Sequence, residues 1–104
     1  MHPIVIKKEI LELDPWVATS LYDAFYKARK LYNDFMQQPH RLSFAWGGSY
    51  LEAEREFFGK DPFYQGFKEN RHDVQTMIQF AEQQGLLPRP LTVEELFTQN
   101  TRDT

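Results

Sequence analysis

The stretch Asp14-Pro15-Trp16-Val17-Ala18-Thr19-Ser20-Leu21-Tyr22-Asp23-Ala24-Phe25, continuing to Gln37, decides the fold class. Asp14 is a candidate N-cap, because its short carboxylate can accept from a free N–H of a first helical turn. Pro15 suits the next position, where an N–H has no partner to lose. Val17, Leu21, Phe25, Ala28, Leu31 and Phe35 then recur at steps of three and four, the spacing of one helical stripe. Asp23, Lys27, Lys30 and Asp34 fall off that stripe. Pro39 cannot continue a helix. The spacing therefore predicts a helix over 15–37, with Val17, Leu21, Phe25 and Ala28 buried.

Downstream, three further helices are expected. Ser49 and Glu52 have capping-box spacing, and Gly59 is a natural stop, which gives a helix at 49–58. Asn70 is a candidate cap for a helix at 70–84, with Val74, Met77, Ile78 and Ala81 as its buried stripe and Gly85, Pro88 and Pro90 ending it. Thr92 and Glu95 make a second capping box ahead of a short helix at 92–98, with Leu91 and Leu96 spaced as a hydrophobic staple. Upstream, Ile4-Val5-Ile6 is a β-branched run that reads as a short strand over 3–7, and Lys8 to Leu13 as a helical turn. The expected fold class is mainly α, a single domain over 1–104 with one short N-terminal strand. That strand is without a second convincing strand to pair its N–H and C=O groups.

Composition narrows the function classes. The chain has 104 residues, 41 % hydrophobic and 15 % aromatic, which fits a folded chain rather than a disordered one. Twelve Lys and Arg against 15 Asp and Glu leave a formal charge of -3. No basic excess exists to bind a phosphate backbone, so nucleic acid is not an expected partner. No run approaches the roughly 20 apolar residues of a membrane-spanning helix, so neither is a membrane. Zero cysteines exclude disulfides, thiolate metal sites and a Cys nucleophile. His2, His40 and His72 are far apart and lack ligand spacing, so no metal site is expected. Ser43 and Ser49 beside Gly47-Gly48 lack the Gly-x-Ser-x-Gly pattern of a nucleophile elbow. Arg41 and Arg71 are candidate carboxylate clamps, although two solvated surface charges explain them better.

Four stretches, taken in order, carry a resemblance. They are Met1-His2-Pro3-Ile4-Val5-Ile6, then Asp14-Pro15-Trp16-Val17-Ala18-Thr19-Ser20-Leu21-Tyr22, then Tyr64-Gln65-Gly66-Phe67-Lys68-Glu69-Asn70-Arg71, and finally Glu82-Gln83-Gln84-Gly85-Leu86 with Leu91-Thr92-Val93-Glu94-Glu95-Leu96-Phe97. Together they resemble the C-terminal part of the 4,5-dihydroxyphthalate decarboxylases, over nearly the whole chain. Gln65 departs from that pattern, since the family often has the Tyr and Gly adjacent. The resemblance implies the helical C-terminal portion of an α/β, type II periplasmic-binding-protein-like fold, in which residues 3–7 join a sheet supplied by upstream sequence.

It also implies a chemistry, the removal of CO₂ from a dihydroxylated aromatic dicarboxylate. The implied partner is a small aromatic carboxylate in the full-length parent, and no organic cofactor is required because ring hydroxyls supply the electron sink. His2 is the candidate catalytic acid/base; Tyr64 and Asn70 are candidate substrate-binding residues. The alternative reading is part of a solute-binding protein that captures a small anion without chemistry. The expected location is cytoplasmic, or periplasmic where a parent chain carries a signal peptide. The 104-residue chain alone is expected to be inactive and to form a homodimer through the N-terminal strand or exposed aromatics.

Overall fold

The computed structural model describes residues 3–41, 43–59 and 61–104. The chain is mainly helical: α1 spans Lys8–Leu13, α2 Trp16–Met36, α3 Gly47–Phe58 and α4 Phe67–Gln83, with 3₁₀ turns at Pro39–Arg41, Glu94–Leu96 and Gln99–Thr101. Among the described residues there is no strand, and Pro3–Lys7 carry no regular structure. No helix among these residues is long and apolar enough to cross a membrane.

Helix starts differ from the sequence expectation more than helix stops do. Gly85 ends α4 as expected, in the left-handed region at φ 67°. Its N–H donates to the Glu82 carbonyl and that of Leu86 to the Ala81 carbonyl, both at 2.9 Å, which is a complete Schellman motif. The start of α4, however, lies at Phe67, and Asn70 is inside the first turn. Asn70 is not the cap; its amide donates to the Gly66 carbonyl at 2.8 Å. Capping comes instead from Thr104, whose hydroxyl accepts from the Phe67 N–H at 3.1 Å and whose carbonyl accepts from the Lys68 N–H at 2.9 Å. Likewise α3 starts at Gly47 after Trp46, which places Ser49 within the helix rather than at its cap. The short helix expected at 92–98 is the 3₁₀ turn Glu94–Leu96. Half of its capping box is present: the Thr92 N–H donates to Glu95 Oε2 at 2.8 Å, but the Thr92 hydroxyl donates to the same carboxylate rather than accepting from the Glu95 N–H.

The chain divides into two compact units, and the division falls within α2. The first contains residues through Asp23 together with Gln65–Thr104. Its core is Phe67, Val74 and Ile78 of α4 with Val93, which is fully buried, and Leu87, Leu91 and Phe97 pack against them. The rings of Phe67 and Phe97 meet edge to face, 5.2 Å between centroids. Arg102 holds the adjoining 3₁₀ turn by donating to the carbonyls of Glu94 at 2.6 Å and Phe97 at 3.1 Å.

The second unit is Ala24–Tyr64. No described side chain in it is buried. The stripes expected from spacing are therefore only partly interior. Val74 and Ile78 are buried, whereas Phe25, Ala28 and Met77 are exposed and Val17, Leu21 and Ala81 half-buried. In α2 the one buried side chain is Ala18. A stripe marks the face that a helix can bury; it does not provide the partner that buries it.

Candidate functional site

Three residues carry the expectation of a site. His2 lies outside the described residues. Tyr64 is half-buried at the end of the second unit, and Asn70 belongs to the first. Asn70 Nδ2 is committed to the Gly66 carbonyl, so that donor is part of the α4 start.

Several polar contacts lie around the start of α4. Gly66 has φ 109°, and a Cβ there would stand 2.9 Å from the Thr104 carbonyl carbon. The Lys68 ammonium donates to the Asp103 carbonyl at 2.7 Å. One turn on, Arg71 donates through Nε at 3.1 Å and Nη2 at 2.7 Å to a single oxygen of Glu94. That contact, first, and a hydrogen bond to the backbone hold the Glu94 carboxyl below the usual carboxylate range. The Arg89 guanidinium, followed by the Thr92 N–H, holds Glu95 down to about 2. Both carboxylates are thus anions at neutral pH and unfit to donate a proton. Arg71 is occupied by Glu94 and does not stand as a free carboxylate clamp.

The second unit has one comparable cluster. Arg29 donates to both carboxylate oxygens of Asp61, through Nε at 3.0 Å, and Asn33 Nδ2 donates to Asp61 Oδ2 at 2.6 Å. The Phe63 N–H adds a fourth donor at 2.9 Å. Hydrogen bonding from Arg29 is the main reason that Asp61 is pulled down to about 2. Arg29 also lies over the rings of Tyr32 and Phe63, 5.1 and 5.2 Å from their centroids. This cluster joins the loop after α3 to α2. Arg41, the other candidate clamp, lies 5.7 Å from the centroid of Phe35.

One surface groove is formed by the outer face of α4 and Leu86, with a volume of about 730 Å³. His72 and Asp73 stand at one end, and Met77 and Phe80 make its apolar floor. No cluster of three or more His, Asp or Glu side chains able to hold a metal is present among the described residues. Nor do these residues bring a proton donor, a free cationic clamp and a water-excluding pocket to one place.

The sequence reading missed Thr104 and Arg102, which complete α4 and the following turn. Both lie in a polar tail without periodicity, where no pattern distinguishes a tied-down residue from a solvated one. Comparison with protein-family models, with curated proteins and with solved structures found no match.

Proposed function

We propose that this chain is the C-terminal portion of a protein resembling the 4,5-dihydroxyphthalate decarboxylases, acting in the cytoplasm on a dihydroxylated aromatic dicarboxylate. The observation that carries the reading is the order and spacing of the motif stretches along the chain. Its support in the fold is that two of those stretches meet within one unit. Val93 and Phe97 of the last stretch pack with Phe67 of the third, and Arg71 of the third pairs with Glu94. Asn100, just beyond the last stretch, donates through Nδ2 at 2.7 Å to the Pro15 carbonyl of the second. In this reading residues 3–7 become a strand when an upstream α/β lobe supplies the neighbouring strands.

The reaction breaks the bond between the ring and one carboxylate. A proton is added at that ring carbon, the ring hydroxyl para to it supplies electron density, and the bonding pair returns to the ring as CO₂ leaves. His2 is placed as the proton donor, and a cation elsewhere in the parent holds the retained carboxylate. Tyr64 and Asn70 are the substrate-binding candidates. Arg71, Glu94, Glu95 and Asp61 are assigned to structure, since each is spent on a partner.

The test is a chimera in which these 104 residues replace the matching portion of an established 4,5-dihydroxyphthalate decarboxylase. Release of CO₂ supports the reading. Binding of 4,5-dihydroxyphthalate by a folded chimera without turnover favours the solute-binding alternative. A His2→Ala version of the active chimera is expected to lose about 10²–10⁴-fold in kcat.

A further inference from the structure

The chain has three methionines and no cysteine, so thioethers are the sulfur groups it offers to an oxidant. How fast each reacts follows its exposure. Met1 lies outside the described residues. Met36, the last residue of α2, is half-buried. Met77, in the middle of α4, is 45 % exposed. It lines the outer groove with His72, Phe80 and Leu86, while Val74 and Ile78 of the same helix are buried in the core.

A thioether set there can change its polarity at little cost to the fold. A sulfoxide carries a strong dipole, which is costly in a core and is solvated on an open surface. Conversion at Met77 leaves the packing of Phe67, Val74 and Ile78 in place and puts a hydrogen-bond acceptor among the apolar side chains of the groove. We propose that Met77 is a site of reversible oxidation by peroxide, which turns this apolar floor polar while α4 stays folded. The sulfur attacks one peroxide oxygen. The S–O bond forms as the O–O bond breaks, the sulfur gives up two electrons, and the other oxygen leaves as water. A dithiol acting through methionine sulfoxide reductases reverses the step: it becomes a disulfide as the sulfoxide oxygen leaves as water. The proposal is independent of the reading of function.

The test treats the full 104-residue chain with hydrogen peroxide at neutral pH and samples it over time. Mass spectrometry of its proteolytic peptides then reads each methionine separately. Met77 is expected to oxidise at least about threefold faster than Met36. A Met36→Leu chain, a swap of similar volume, keeps the thermal melt a reading of Met77. Its oxidised form should melt cooperatively within about 4 °C of its untreated form. Reductases for both sulfoxide epimers, supplied with dithiothreitol, should return Met77 to the thioether in the folded chain. Oxidation of Met36 as fast as that of Met77 overturns the proposal. So does loss of helical circular dichroism or of the cooperative melt in the oxidised Met36→Leu chain, and so does a Met77 sulfoxide that the reductases leave unchanged.

Discussion

At the scale of single residues, Gly66 and Gly85 separate two uses of a positive φ. Gly85 stands in open space, so an alanine there meets only backbone strain. Gly85→Ala is expected to lower stability by about 1–2 kcal/mol. At Gly66 the new methyl would also meet the Thr104 main chain at 2.9 Å. Gly66→Ala should therefore cost more than Gly85→Ala, about 2–4 kcal/mol, and urea titration of the two variants checks the order. Asp61 supplies a pH dependence. Its folded value of about 2 lies below the ordinary 3.8, so its contribution is present above about pH 4 and is lost as the pH falls toward 2. With the side chain one-third exposed, that contribution is about 1 kcal/mol after screening. Thermal melts of Asp61→Asn should show a smaller loss of stability between pH 4 and pH 2 than the parent chain does. Equal acid limbs in the two proteins would place the titration elsewhere.

At the scale of elements, α4 is the organising helix because it alone has several buried positions, Phe67, Val74 and Ile78. Ile78→Ala is expected to cost about 2–5 kcal/mol, whereas Met77→Ala, on the exposed face of the same helix, should cost less than about 1 kcal/mol. Hydrogen exchange should follow the same order. The amides of Val74 to Ile78 should be the slowest, and those of α3, which has no buried side chain, much faster. An α3 as protected as α4 would contradict that ranking. Sequence spacing located these helices well where their ends are local. The stop at Gly85 depends on residues within five positions, and it was legible. The start of α4 depends on Thr104, 37 residues away, so Asn70 looked like a cap. Val93 was hidden for a related reason. It is one apolar residue between Thr92 and Glu94, and its burial comes from α4, not from any period of its own.

At the scale of the whole molecule, each unit is explained by a different part of the sequence. In the first, the last two motif stretches interlock through Phe67, Arg71, Val93, Glu94 and Phe97. In the second, the helical stripe of α2 is present but Phe25, Leu31 and Phe35 stay exposed. The candidate site was less legible than the helices. Of its three residues, His2 falls outside the described part, and Asn70 turned from an expected cap into a first-turn side chain tied to Gly66. Motif order does not report which side chains are left free for chemistry. The central claim is that these residues complete a decarboxylase. It is tested most directly by giving carboxyl-¹³C-labelled 4,5-dihydroxyphthalate to the chimera and to the 104-residue chain alone, and following ¹³CO₂ in the headspace. The account predicts release by the chimera and none by the chain alone. A folded chimera that releases no ¹³CO₂, or release by the isolated chain, would contradict it.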